Sequence, residues 1–436
     1  MKKYLYLITV CIFIYSCSKG KVGSPTPTPT PLPAPVTPIS VAVTIIPSTT
    51  YQTITGFGGA NRMWGTTSLK PAEAQKAFGL GDGELGLSIF RVRLSSNQTE
   101  WPLILEAVKE ANKRGVKVLA SPWSPPPSLK DNNSDVRGHL LSQNYVAYKN
   151  YMNDFVSYMS TNGAKIDVVS IQNEPDWKPT YESCDWTADD MINFLNAPGT
   201  ISNVQVAAPE SLNFNQNFTN TILMNDQAAS KLSIVAGHIY GGGIAKFPLA
   251  EQKNKEIWMT EYLMNLNTGN AGAPKWSTYS ESDKWDESLK MLGSIQEVLS
   301  NNWNAYIWWY LQRYYSFIGD GEEGSTNGEV LKRGYAFSHF SKFIRPGYVR
   351  INADYTANTS LKVLAFKKDT QTVIVIINTD PSITYNTVIN GLLISSGSSY
   401  TTSLSINLSK KTLTITNNKT TIEIPEKSVT TLVLNN

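Results

Sequence analysis

Two glutamates stand where apolar runs of the sequence give way to polar residues. Glu174 lies in SIQNEPDW, after IDVV, and Glu261 lies in EIWMTEY. A pair of carboxylates can divide the work of breaking a glycosidic bond. One protonates the leaving oxygen, and the other attacks the sugar carbon if the two lie about 5 to 5.5 Å apart. Asn173, beside Glu174, suits a hydrogen bond to a sugar 2-hydroxyl, which strengthens in the transition state. Tyr240 or Arg93 can hold Glu261 ionised, as a nucleophile must be. The competing reading is a pair of structural salt bridges, and two carboxylates on separate strands weigh against it. Glu210, in VQVAAPE, fits the structural reading better and is expected to support rather than react.

For these groups to meet, their strands must converge. Eight β-rich runs follow one another: TITGFGG, LSIFRVRL, KVLASPW, DVVSIQNE, VQVAAPE, LSIVAGHIY, EIWMTEY and AYIWWY. Between several of them lie stretches of helical period, such as WPLILEAVKEANKRG and DESLKMLGSIQEVLSN. Eight strands separated by helices predict a (β/α)8 TIM barrel over residues 53–346, with the chemistry at the C-terminal ends of the strands. Those ends carry Arg91 and Arg93, Trp123, Glu174, Glu210, His238 and Tyr240, Glu261, and Trp308 with Trp309. The rival is a doubly wound sheet, but GFGGA lacks the glycine spacing of a phosphate-binding turn. Residues 347–436 read as Thr-rich strands broken by polar turns, which predicts a side-attached β-sandwich. VAVTII, within residues 40–52, has no place among the eight barrel strands and is expected to add an edge strand to that sandwich.

Of the 436 residues 41% are hydrophobic, as a folded body requires. The net charge of +3 is scattered, which argues against nucleic acid as a partner. The 11 Trp and 21 Tyr suit sugar faces, although a Trp-rich core would use them equally well. Trp123 is expected to form a sugar-stacking platform. The three histidines, His139, His238 and His339, lie far apart, and the cysteines form no zinc pattern, so neither a metal nor a cofactor is expected. Residues 1–16 begin with two lysines and run into a short apolar segment ending before Cys17. They resemble a bacterial lipoprotein signal, which implies a lipid on Cys17. Residues 17–39, rich in Pro and Thr, make a stiff tether. The expected location is the outer membrane, facing either the periplasm or the outside.

GFGGA, RVRLS, SPWSPP, SIQNEPDW, EIWMTEY, NAYIWWYLQR and KRGYAFSHFSKFIRPGYVRI together resemble glycoside hydrolase family 30. The likeness covers nearly everything after the tether. It implies Glu174 as acid/base, Glu261 as nucleophile, and a sandwich built partly from the N-terminus. WWYLQRYYSF is similar to the glucuronoxylanase branch, in which a Trp, an Arg and a Tyr grip the glucuronic acid carried by xylan. Trp309, Arg313 and Tyr315 match those positions. A guanidinium fork pairs a carboxylate through two bonds, and a phenol adds a third donor. The alternative for Arg313 is a bridge to Asp320 or Glu322. The chain departs from the family at Gln312, where a second Arg is usual, and in the loop after the seventh strand, where Ser277 and Tyr279 are candidate contacts. The acidic loop GDGEEGSTNGEV could weaken an anionic subsite. The resemblance thus implies a monomeric retaining endo-β-1,4-xylanase acting on glucuronoxylan. The rivals are a branch-indifferent xylanase or β-1,6-glucanase of the same family, and a non-catalytic sugar-binding surface lipoprotein.

Overall fold

The computed structural model describes residues 38–266, 272–355 and 360–436. The expected signal, Cys17 and nearly all of the tether lie outside them. Eight parallel strands close into a barrel: β2 (Gly56–Ala60), β3 (Ile89–Arg93), β4 (Lys117–Ser121), β5 (Val168–Ser170), β6 (Gln205–Ser211), β7 (Ile234–His238), β8 (Glu256–Glu261) and β9 (Ala305–Tyr310). They are the eight expected runs, trimmed at their ends. Alternate residues point inward. Ile89, Leu119, Val168, Ile234 and Ile307 fill the barrel together with Trp258, whose large indole faces the small Ala207, Ala236 and Ala305. The opposite set, including Phe57, Phe90 and Val118, packs against the helices. The glycines of GFGG serve strand packing. A Cβ on Gly58 would lie 2.4 Å from the Ile89 carbonyl oxygen, so only glycine lets β2 approach β3 this closely.

The C-terminal strands are β10 (Val349–Tyr355), β11 (Leu361–Lys368), β12 (Gln371–Asn378), β13 (Tyr385–Asn390), β14 (Ser396–Thr402), β15 (Ser409–Thr412), β16 (Thr420–Ile424) and β17 (Ser428–Asn435). With β1 (Ile39–Thr53) they form one nine-stranded sheet, ordered β15-β14-β17-β12-β11-β10-β1-β13-β16. The expectation of an edge position for the N-terminal strand is corrected here. β1 lies inside the sheet, antiparallel to β10 and parallel to β13. Its neighbours are distant in sequence, so no local pattern announces them.

The middle strands are apolar on both faces, and period-two alternation sorts their residues. Leu361, Val363, Ala365, Ile374 and Ile376 join Val41, Val43 and Ile45 in a core of the sheet's own. Leu364, Phe366, Val373, Val375 and Ile377 join the core shared with the barrel helices. His339, on the helix Lys332–Ser341, bonds Thr431 and Thr402 of the sheet at 2.8 Å each. Burial lowers its pKa to about 3, so the imidazole is a neutral peg between helix and sheet.

Candidate active site

Glu174 lies four residues beyond the end of β5, and its backbone takes a left-handed conformation, φ 46°. Glu210, at the end of β6, does the same at φ 62°. Such values are uncommon for residues other than glycine and persist where neighbours over-determine them. Here the neighbours are visible. The Glu174 N–H donates to the Glu210 carbonyl at 3.0 Å, the Asn173 N–H to Pro122 at 2.8 Å, and the Trp186 N–H to Pro175 at 3.0 Å.

The side chains converge on a buried guanidinium. Arg91 donates through Nη1 to Glu261 Oε2 at 2.5 Å and through Nε to Ser121 Oγ at 3.1 Å. Its Nη2 meets Asn173 Oδ1 at 2.6 Å and Glu210 Oε1 at 2.9 Å. Arg91 thereby fixes the Asn173 carbonyl inward, which turns the amide nitrogen into the available donor. Tyr240 donates its hydroxyl to Glu261 Oε1 at 2.8 Å. Burial and the adjacent Glu261 raise the pKa of this phenol well above its ordinary value, so it remains a donor.

His238 completes the cluster. Nδ1 hydrogen-bonds Glu174 Oε1 at 2.9 Å, and Nε2 faces Glu210 at 3.7 Å and Glu261 at 4.0 Å. Burial works to lower its pKa, but Glu261, Glu174 and Glu210 override it and push it up to about 9. Burial would raise Glu210, yet Arg91 and His238 hold it down at about 2. Glu261 is raised by burial; His238 and Arg91 oppose this, Glu174 adds to it, and the Tyr240 hydrogen bond opposes it. One ligand atom each of Glu174, His238 and Glu261 lies within 4.8 Å of the others. Arg91 and Tyr240 already donate to the two oxygens of Glu261, and the trio reads as a proton-handling set. Carboxylates this close match the spacing used for covalent glycosyl transfer, not the about 6.5–9.5 Å used for direct attack by water.

A sequence signature described as the glycosyl hydrolase family 30 TIM-barrel domain matches residues 81–313. The glucuronoxylanase XynC of Bacillus subtilis (strain 168) is 36% identical over 405 residues, 90% of this chain and 92% of that protein. The chain belongs to glycosyl hydrolase family 30. Solved structures agree. The family 30 subfamily 8 xylanase Xyn30A of Clostridium acetobutylicum superposes with a TM-score of 0.80 at 31% identity, covering 91% of this chain and all of that one. A family 30 endoxylanase of Clostridium papyrosolvens C71 gives 0.77 at 32% identity, with the same coverage.

In this family 30 glycoside hydrolase the cluster opens into a cleft of about 1140 Å³, walled by Trp64, Trp177, Tyr181, Leu212, Tyr240, Trp309 and Tyr310. Arg93 does not hold Glu261, and that expectation is corrected. Its guanidinium pairs Glu100 and Glu182, while Arg91, one layer deeper in the barrel, takes the glutamate. Trp123 lines the cleft but is only 2% exposed, under the edge of Trp64 at 5.2 Å and with Arg91 over its ring. It packs the floor, and the exposed rings are Trp64, Trp177, Tyr181 and Tyr240. Sequence reasoning overlooked the roles of Arg91, His238, Trp64, Trp177 and Tyr181. Arg91 and His238 did carry a signal, as polar residues at barrel-strand ends.

Past β9, Arg313 bonds Asp320 Oδ2 at 2.9 Å, and Arg62 reaches the same oxygen at 2.6 Å. Two cations share one carboxylate, so this trio alone carries one net positive charge, with Glu322 and Glu323 in the same loop. Tyr315 is buried, and burial raises its pKa although Arg313 nearby opposes this. Arg333, from the helix Lys332–Ser341, donates to the carbonyls of Met264 at 2.8 Å and Tyr315 at 2.7 Å, and Glu287 orients it. It ties the loops after β8 and β9 together. Ser277 bonds Glu323 of the acidic loop, and Tyr279 bonds the Leu266 carbonyl.

The raised His238 pKa has a measurable consequence. Its ordinary value is 6.5 and its folded value about 9. The stabilisation is therefore complete below the lower value and lost as pH rises through the upper one. In urea unfolding from pH 6 to 9.5, the parent should lose up to about 3 kcal/mol relative to His238→Asn. Parallel pH profiles for the two proteins would mean that His238 carries no charge.

Proposed function

We propose that the protein is a retaining endo-β-1,4-xylanase that acts on glucuronoxylan and is held to the outer membrane by a lipid on Cys17. The observation that carries the mechanism is the approach of Glu174 and Glu261 within 4.8 Å. Glu261 is gripped by Arg91 and Tyr240, and it attacks the anomeric carbon to form a glycosyl ester. Glu174 protonates the departing glycosidic oxygen. Water then attacks the same anomeric carbon, Glu174 takes its proton, and the Glu261 carboxylate leaves, so two inversions give net retention. The Asn173 amide donates to the 2-hydroxyl of the reacting sugar. His238, bonded to Glu174, orients that carboxyl between its two tasks. The similarity to relatives called glucuronoxylanase and xylanase supports xylan as the polymer.

Branch recognition is the finer part of the reading. Arg313, Tyr315 and Trp309 would receive a glucuronic acid carboxylate, with Arg62 sharing the Asp320 carboxylate that Arg313 bonds. Products from glucuronoxylan and from linear xylan test it. Arg313→Ala should lower kcat/KM on glucuronoxylan by about 10²-fold, the worth of one or two charge-assisted hydrogen bonds, and leave linear xylan alone. A specific observation favours a second reading, a xylanase indifferent to branches: Asp320 already occupies Arg313. Equal cleavage of both polymers, unchanged in Arg313→Ala, would establish it.

A further inference from the structure

In the mechanism proposed above the reacting sugar lies against Glu261 and Tyr240, which line the cleft together with Glu174. The chain segment that carries Glu174 outward lines the cleft as well. Two large aromatic rings on that segment are half exposed to the cleft, Trp177 and Tyr181, each at 46%. Neither takes part in the proton and nucleophile chemistry described above.

Their placement is rigid. The Trp177 N–H donates to the Glu174 carbonyl at 3.1 Å. Asp176 accepts the Leu212 N–H at 3.0 Å, which fastens the segment to the loop after β6. The Trp177 indole lies near the Tyr181 hydroxyl, and that hydroxyl donates to Glu174 Oε2 at 3.4 Å. Tyr181 is backed by Trp64, with ring centroids 6.5 Å apart. An exposed indole on a fixed loop, three residues from a carboxylic acid, is a flat apolar face with little conformational freedom left to lose.

The chemistry fixes which sugar lies there. The group that receives the proton from Glu174 is the leaving oxygen, so atoms beyond that oxygen belong to the departing chain. We propose that Trp177, backed by Tyr181, is the platform for the first sugar of the leaving chain, a β-linked xylosyl unit presenting its C–H face to the indole. This rests on the xylanase reading above. Because the platform and Glu174 share one loop and a direct backbone hydrogen bond, a sugar stacked there brings its glycosidic oxygen to the acid.

Transfer to an added acceptor reads this subsite directly, since the acceptor must occupy it to intercept the glycosyl-enzyme. The parent, Trp177→Ala and Trp177→Phe are incubated with glucuronoxylan and xylobiose, and transfer and hydrolysis products are counted by mass spectrometry. Trp177→Ala should lower the transfer-to-hydrolysis ratio by about 10-fold, and Trp177→Phe should restore most of it. Equal melting temperatures exclude a folding effect. Normal cleavage with an unchanged ratio in Trp177→Ala overturns the platform alone. A parent that cleaves neither glucuronoxylan nor linear xylan overturns the substrate reading, and the platform with it.

Discussion

Glu261→Ala should abolish turnover, lowering xylan cleavage by about 10⁴-fold or more, because the covalent step loses its nucleophile. The loss is chemical, and its form is diagnostic. The vacated space is bordered by Arg91 and Tyr240, two donors aimed at an anion. A small anion such as azide should enter, attack the anomeric carbon in place of the carboxylate, and give a glycosyl azide of inverted configuration. Glu174→Gln should fail differently. With a substrate whose leaving group needs no proton, it should form the glycosyl-enzyme and stall there, since no base activates the water. Intact-protein mass spectrometry reads the stalled ester on Glu261. Substantial activity in Glu261→Ala, or an ester on another residue, would reject the assignment.

Arg91→Met should combine a large stability loss with a large rate loss. The guanidinium is fully buried and serves Glu261, Asn173, Glu210 and Ser121 at once. Removing one member of a buried charge cluster costs about 3–5 kcal/mol, because the remaining charges are left uncompensated. The rate should fall by about 10²-fold or more, since Glu261 and Asn173, the proposed nucleophile and 2-hydroxyl donor, lose their common anchor. Arg91→Lys separates the two effects. It keeps the charge, yet a single ammonium cannot reach four partners in a plane. Its urea midpoint should recover more than its kcat. A stable Arg91→Lys protein with full kcat would reduce Arg91 to a structural cation.

Arg91 and Arg93 also show how far the sequence can be read. Both point inward, by strand parity, and both lie near the end of one strand. Parity is legible in IFRVR. Height in the barrel is not, because it follows from the stagger of all eight strands. The expectation fell on the outer arginine, and the structure places the inner one under Glu261. Trp123 teaches the same lesson. Its place at the end of a strand was legible, but the cover of Trp64, from a loop 59 residues earlier, was not. The barrel and the two glutamates were legible because each strand carries its own apolar run and its own polar end. The raised pKa of His238 was not legible, since it arises from carboxylates at or beyond the ends of three other strands.

The N-terminal strand sets a timetable for the molecule. β1 is made before the barrel strands, yet both of its hydrogen-bonded neighbours are made only after the entire barrel segment. Until then it is an apolar strand with two open edges, which invites association between nascent chains. The barrel can close from neighbours in order, whereas the sheet must wait for ends separated by about 300 residues, the long-range pairing that slows folding. Once β1 is inserted, the first and last segments of the described chain belong to one sheet, and β1 cannot leave it without opening the edges of β10 and β13.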